Sequence, residues 1–213
     1  MTRKLIYLDN CCFNRPYDDQ TQPKVAIETL AKLHIQELAL KRELDIVWSY
    51  ILKFENSRNI FEAKRAAIAK WEQISVRFVE KSDAVIALAR EIATTGIKPA
   101  DSLHIACAVT AGCDYMVTVD NRILKYRDNR IIICNPVDLL TRKMIMTNNT
   151  VLLDKGIKCL TDGLGLFEAE QFIYVLLSQP FNYTEWRKEH LFSGMTVDEI
   201  SDAADAFCKE NPR

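Results

Sequence analysis

A chain of 213 residues with 48% hydrophobic and 27% charged residues can bury a core and has the composition of a globular protein, not a disordered one. The apolar stretch at its start is too short for a signal peptide, and no apolar run reaches membrane-spanning length. These features predict a cytoplasmic protein with no membrane partner.

The net charge of −1 hides an asymmetry between the two parts of the chain. Residues 1–147 hold 22 Lys and Arg against 18 Asp and Glu, whereas residues 148–213 hold 6 against 11. A basic body favours a polyanionic ligand, and an acidic tail could compete with that ligand for the same surface. Chance explains an offset of this size equally well.

Short apolar runs alternate with amphipathic segments through residues 1–143. The runs that predict strands are residues 4–8, 44–48, 76–79, 115–119 and 130–134. The segments that predict helices are residues 23–43, a helix capped by Ser49, and residues 60–74, 82–94 and 99–111. Residues 10–23 are rich in turn formers and predict a loop. This alternation predicts a parallel sheet flanked by helices.

Four acidic residues lie where these elements begin or end. Asp9 and Asp120 follow predicted strands, and Asp101 falls in the first turn of a predicted helix. Glu55 lies on the helix that Ser49 caps. Carboxylates gathered at one edge of a sheet repel each other unless a hard cation neutralises them, so the pattern predicts a Mg²⁺ or Mn²⁺ site. For any one of the four alone, a surface or capping role explains the residue equally well.

A polar stretch at residues 147–150 predicts a linker, and the strand signals end beyond it. Residues 151–162, 166–178, 184–191 and 196–208 predict helices, the last of them with a capping box formed by Thr196 and Glu199. The aromatic residues that predict the core of this small helical unit are Phe167, Phe172, Phe181, Tyr183, Trp186 and Phe192.

Four stretches carry a resemblance to a known family: LIYLDNCCFNRP, FEN around Glu55, IKPADSLHIACAVTAGCDYMVTVDN, and IIICNP. In order and spacing they resemble the PIN-domain nucleases, best known as the VapC-type ribonuclease toxins of bacterial toxin–antitoxin pairs. The resemblance covers residues 1 to about 143. It implies a PIN-like α/β nuclease domain at residues 1–147, hydrolysis of RNA phosphodiester bonds with Mg²⁺ or Mn²⁺, and a homodimer.

The resemblance places the acidic quartet of the family on Asp9, Glu55, Asp101 and Asp120. We assign Asp9 and Asp101 as direct metal ligands, and Asp120 as a ligand that binds directly or through water. Glu55 would orient or deprotonate the attacking water. Asn121 stands where many members carry an aspartate, which leaves a contribution of this position to metal binding open.

Other polar residues are weaker candidates. Those that could support the metal ligands from behind are Asn10, Ser102 and Asn121. Those that could contact phosphate are Arg15, Arg122 and Lys125. Turn hydrogen bonds and ordinary solvated surface explain these two sets equally well. We expect His104, one helical turn after Asp101, to be a packing or hydrogen-bonding residue rather than a catalytic one.

The tail resembles, more loosely, small helical antitoxin-like proteins encoded beside such nucleases, through EAEQFIYVLLSQPFNYTEWRKEHLF and GMTVDEIS. This resemblance implies that residues 148–213 inhibit the nuclease, within one chain or between the chains of a dimer. A stabilising extension that never touches the site explains the tail equally well. Two other interpretations of the body stay open: a catalytically silent PIN-fold module that binds RNA or protein, and a nuclease that cuts branched DNA.

Overall fold

Among the described residues, the sheet has five parallel strands. The computed structural model of the protein describes residues 3–143, 149–178, 186, 191–192 and 194–212. The strands are β1 (Lys4–Leu8), β2 (Leu44–Ser49), β3 (Arg77–Val79), β4 (Tyr115–Val117) and β5 (Ile132–Cys134), in the order β3-β2-β1-β4-β5. The order reverses between β1 and β4, and open α/β sheets bind ligands at the carboxyl ends of the strands beside such a reversal.

Helices cover both faces of this sheet, which confirms the predicted fold class. They are α1 (Asn10–Asn14), α2 (Pro23–Leu40), α3 (Tyr50–Ser57), α4 (Glu62–Ile74), α5 (Asp83–Ala93), α6 (Pro99–Thr110) and α7 (Pro136–Lys143). Three further helices follow: α8 (Asn149–Leu164), α9 (Leu166–Ser178) and α10 (Val197–Glu210). The predicted caps at Ser49 and Thr196 are both present.

The segment at residues 10–23 differs from the predicted loop. It holds α1 and a 3₁₀ turn at Arg15–Tyr17. The side chain of Asn14 closes a helical turn in this buried segment, because its Nδ2 donates to the Asn10 backbone carbonyl at 3.0 Å. Helix α2 also ends at Leu40 rather than residue 43, because Arg42 adopts a left-handed conformation with φ of 59°.

Strand periodicity divides the core between the two faces of the sheet. Tyr7 and Val47 belong to a buried cluster on one face with residues of α3, α5 and α6. Ile6, Leu8 and Trp48 belong to the cluster on the opposite face, with residues of α1 and α2. Successive residues of a strand point to opposite faces, and both sets are apolar here because helices cover the sheet on each side.

Helix α10 is part of the first cluster. Ile200 and Ala204 are fully buried there. Ser201 Oγ lies 2.7 Å from Tyr50 Oη of α3, and Phe207 packs 5.8 Å from Phe54 between ring centroids. The structure thus joins residues 197–210 to the body through apolar packing and a buried hydrogen bond. The division of the chain at residue 147 into two units stays a prediction.

Three of the tail aromatics, Phe167, Phe172 and Phe192, do not form a core of their own, so that prediction was wrong for them. Phe167 and Phe172 are 71% and 45% exposed, and Phe192 packs on Phe54 of the body at 5.7 Å. Phe181 and Tyr183, and most of the predicted helix at 184–191, lie outside the described residues. Of the predicted linker at 147–150, the last two residues begin α8. None of the described helices is both long and apolar enough to cross a bilayer.

Lys32 of α2 is a buried lysine beside Phe13, a member of the apolar cluster that contains Ile6 and Leu8. Its side chain is only 5% exposed, and its Nζ lies 5.7 Å from the ring centroid of Phe13. Burial lowers the pKa of Lys32 from 10.5 to about 7. Between these two values the unfolded chain binds more protons than the folded protein, so stability should rise with pH across that window. At pH values below this window, Lys32 is charged in both states and the folded protein is destabilised by the full cost of burying its ammonium group.

Lys32→Met should therefore raise the free energy of unfolding at about pH 6 by roughly 2 kcal/mol or more, with a smaller gain at about pH 9.5. Urea denaturation at both pH values measures the difference. Lys70→Met on the exposed side of α4 is the matched control, for which we expect a change within about 0.5 kcal/mol at either pH. An equal gain for Lys32→Met at both pH values would contradict this assignment.

Candidate active site

Asp9 lies at the carboxyl end of the central strand. Its backbone N–H donates to the Val117 carbonyl of β4 at 2.9 Å, which prolongs the pairing of β1 with β4 by one residue. The buried side chain accepts at Oδ2 from Thr118 Oγ1 at 2.8 Å and from Cys11 Sγ at 2.9 Å. Burial, the hydrogen bond with Cys12 and the Asp9 charge raise the pKa of the Cys11 thiol, which therefore keeps the proton that it donates.

Asp120 follows β4 and is held by the residues on either side of it. Its backbone N–H donates to Thr118 Oγ1 at 3.1 Å, so this hydroxyl contacts both Asp9 and Asp120 across the reversal in strand order. Arg122 donates to the Asp120 carboxylate through its backbone N–H at 2.8 Å and its Nη2 at 3.0 Å. The buried carboxylate thus has a cation beside it.

Asp101 reaches the same arginine from a different element. It lies in the first turn of α6 behind Pro99, where the helix dipole favours a carboxylate. Its Oδ2 is 3.7 Å from Arg122 Nη2. The Arg122 guanidinium therefore lies between the carboxylates of Asp101 and Asp120, and its 42% exposed side chain leaves these ion pairs partly screened by solvent.

A cavity of about 410 Å³ opens beside Asp101, Asp120 and Arg122. Lys98, at the start of α6, adds a second positive charge to the wall formed by the body. The facing wall comes from the segment before α10, and its residues are Leu191, Phe192, Gly194 and Met195. Acidic, basic and apolar groups thus share one opening at the carboxyl end of the sheet, as expected for a ligand site.

Glu55 lies on α3 and is fully buried. Its Oε2 is 2.7 Å from His104 Nε2, and both side chains are inaccessible to solvent. Burial and Cys107 raise the pKa of Tyr7, and the negative charges of Asp9 and Glu55 raise it further.

The structure connects Asp9, Asp101 and Asp120 through Thr118 and Arg122, whereas Glu55 contacts His104. Within the described part of the chain, no three side chains of His, Cys, Asp or Glu are placed to hold one metal ion together. The available donors are buried carboxylate oxygens, which suit Mg²⁺ or Mn²⁺, so the donor chemistry of Asp9, Asp101 and Asp120 fits such an ion. Arg122 supplies positive charge to two of these carboxylates. The metal centre stays a prediction.

The three predicted phosphate contacts lie in different surroundings. Arg15 is buried and pairs with Asp18 at 2.8 Å and Glu28 at 2.7 Å, a setting that favours a structural role. Arg122 lines the cavity and is bound to the acidic pair. Lys125 is exposed on a 3₁₀ turn at Ile123–Lys125.

The residues predicted to support the metal ligands also lie in different surroundings. Asn10 is buried in α1, where it accepts from Asn14. Ser102 Oγ donates to the Lys98 carbonyl at 3.0 Å within α6. Asn121 is exposed and accepts from Lys24 Nζ at 3.3 Å. These three hydrogen bonds do not involve a member of the quartet, and the support of a metal site by Asn10, Ser102 and Asn121 stays a prediction.

Sequence reasoning missed Thr118, Tyr7 and the tail residues 191, 192, 194 and 195. A signal for Thr118 was present, because residues two apart on a strand share a face and Thr118 precedes Asp120 by two. Tyr7 stands two residues before Asp9 in the same way. No local pattern indicates that these four tail residues return to the site, since that contact depends on the packing of α10.

Comparison with known proteins identifies the family. A family model described as PIN domain matches residues 6–129. Among solved structures, the chain is similar to VapBC2 from Rickettsia felis, crystallised with a DNA fragment from its promoter; the identity is 15%, the TM-score is 0.41, and the match covers 62% of this chain and 98% of that chain. None of the curated proteins compared matches the chain. Because the family model spans more than half of the sequence, the protein belongs to the PIN domain family.

Proposed function

We propose that this PIN-domain protein is a metal-dependent endoribonuclease of the toxin type that hydrolyses phosphodiester bonds in RNA. The observation that supports this most is the convergence of Asp101 and Asp120, from α6 and the end of β4, on one cation at an open cavity. Two buried carboxylates beside one another need a positive charge, and here a partly exposed arginine supplies it. A divalent ion at this place would do the same with oxygen ligands that it prefers.

Each residue would have a defined role in the reaction. Asp9, Asp101 and Asp120 would hold Mg²⁺ or Mn²⁺, which supplies a more acidic bound water and stabilises charge on the phosphoryl oxygens. Arg122 would move from the acids to the substrate phosphate, for which its planar donors are suited. Lys98, which lines the same cavity, and exposed Lys125 would add attraction for the RNA backbone. Glu55 would orient the attacking water or accept its proton.

A second candidate function is a catalytically silent PIN-fold module that binds RNA or protein. Two observations favour it: no three candidate ligands within the described residues are placed around one ion, and the Glu55 carboxylate is fully buried. In that case the arginine would be a permanent partner of the acids. The cavity would then bind a phosphate or an acidic side chain without cleaving it.

The tail would restrain the nuclease. Leu191, Phe192 and Met195 form one wall of the cavity, so residues of the proposed inhibitory unit lie at the candidate site itself. The homodimer and the antitoxin-like role of residues 148–213 are proposals from the sequence resemblance. Leu166 and Phe167 are 77% and 71% exposed, and this apolar surface of α9 is where a contact between chains can be tested.

Cleavage assays on the full-length protein test the enzyme directly. We expect cleavage of single-stranded RNA that is lost with a chelator and restored by Mn²⁺ or Mg²⁺, and little cleavage of branched DNA of matched length. If the protein cleaves branched DNA and not RNA, its substrate is branched DNA. RNA binding without cleavage under any divalent ion would support the silent binding module.

A further inference from the structure

A row of buried hydrogen bonds ends at Glu55. Ser49 Oγ lies 2.7 Å from Tyr7 Oη, which lies 2.7 Å from His104 Nδ1. The other ring nitrogen, His104 Nε2, lies 2.7 Å from Glu55 Oε2. The four side chains are fully buried and come from the end of β2, β1, α6 and α3. Because bulk solvent does not reach these groups, each donor and acceptor needs a partner in the interior.

The direction of the row follows from its first and last members. Ser49 Oγ accepts from the Leu52 backbone N–H at the start of α3, so its own proton is available to Tyr7. An ionised Glu55 can only accept a hydrogen bond, so in a neutral ring Nε2 carries the proton that faces it, and Nδ1 accepts from Tyr7 Oη. This order places an N–H opposite the carboxylate in the neutral form of the ring.

A fully buried carboxyl group would otherwise favour its neutral form. A hydrogen bond donated to Oε2 favours the charged form instead, and an ionised oxygen is what a base for the attacking water requires. Packing alone does not account for this arrangement well, because apolar side chains at positions 7, 55 and 104 would fill the same space without burying polar groups.

We propose that His104 is a positioning residue of the reaction: through Nε2–H it holds Glu55 as an ionised, oriented carboxylate, with Tyr7 and Ser49 fixing the ring. This inference deepens the proposed nuclease function and rests on it. Both ends of the row belong to α3, since Ser49 caps this helix and Glu55 lies on it. It therefore fixes α3 against α6, and with it the distance between Glu55 and the helix that carries Asp101.

Two substitutions of similar size separate positioning from packing. In His104→Gln the amide nitrogen can take the place of Nε2 and donate to Glu55, whereas in His104→Asn the shorter amide matches Nδ1 and leaves Glu55 without this donor. We expect kcat for RNA cleavage to fall by at least about 30-fold in His104→Asn, with KM changed less than about threefold, because the loss concerns orientation and not binding. His104→Gln should keep at least about ten times the kcat of His104→Asn.

Urea denaturation of both variants provides the control, because each loses one of the two ring contacts and should lose comparable stability. Nitrogen-15 NMR of histidine-labelled wild-type protein gives a readout that does not depend on activity: Nε2 of His104 should carry a proton. Equal kcat for the two variants in an active enzyme, or an Nε2 without a proton, would overturn the inference. A wild-type protein that cleaves no RNA while His104 Nε2 is protonated would refute the proposed function and leave the contact with Glu55 intact.

Discussion

Asp101→Asn should reduce RNA cleavage by at least about 100-fold while leaving the free energy of unfolding unchanged or higher. Asparagine keeps the size of the side chain but removes a buried negative charge, which lies near that of Asp120. The metal would lose a ligand, while the protein would lose a source of repulsion between buried carboxylates. Cleavage rates at saturating Mn²⁺ and thermal unfolding of the metal-free protein measure the two effects.

The matched control is Asp83→Asn. Asp83 is also an acidic residue in the first turn of a helix, at the start of α5, so its substitution removes a similar interaction with a helix dipole. We expect Asp83→Asn to keep full cleavage activity and to lower the free energy of unfolding by about 0.3–1 kcal/mol. An Asp101→Asn protein that cleaves RNA at the wild-type rate would rule out a role for this carboxylate in catalysis.

Removal of residues 148–213 should unfold the body or lower its melting temperature by more than about 15 °C. The truncation takes away Ile200 and Ala204, which are fully buried in the core, and leaves the buried Tyr50 hydroxyl without Ser201. Loss of a single buried isoleucine side chain costs about 2–5 kcal/mol, against a total stability of about 5–15 kcal/mol for a typical domain. Circular dichroism melting of the truncated and full-length chains gives the difference.

Two single substitutions calibrate this result. Ile200→Ala should destabilise the full-length protein by about 2–5 kcal/mol, and Leu166→Ala, at a 77% exposed position of α9, by less than about 0.5 kcal/mol. A truncated chain that melts at the full-length temperature would show that α10 is dispensable for the core and that residues 1–147 fold alone.

Inhibition by the tail therefore has to be tested without removing α10. Met195→Ala shortens a side chain that lines the cavity from the tail side, and Leu166→Ala is the control outside that wall. If the tail restrains the site, Met195→Ala should raise the RNA cleavage rate while Leu166→Ala leaves it unchanged. A fall in the rate for Met195→Ala would indicate that the tail helps to bind the substrate.

Local patterns in the sequence were sufficient for the sheet, because a buried parallel strand is a short apolar run. The predicted strand at residues 4–8 matches β1, and the carboxyl ends of β1 and β4 bear Asp9 and Asp120 as expected. Turn formers misled the prediction at residues 10–23, where burial outweighed the preference of Asn10 and Asn14 for turns.

The surroundings of the site could not be predicted in the same way, because they depend on contacts between distant residues. Tyr7 meets His104 across 97 positions of the chain, and His104 meets Glu55 across 49. Arg15 offers a similar case: a surface arginine and one buried between Asp18 and Glu28 look alike in a sequence. Only packing decides which charges reach solvent and which are neutralised inside.

The place of α10 in the core bears on how the protein emerges from the ribosome. The hydrogen bond between Tyr50 and Ser201 closes a span of 151 positions, so the first cluster cannot be completed until residues well beyond the family match at 6–129 have been translated. Contacts of such long range form late and slow the search for the native state. A nascent chain would therefore carry the acidic residues of the site for some time before they are locked into place.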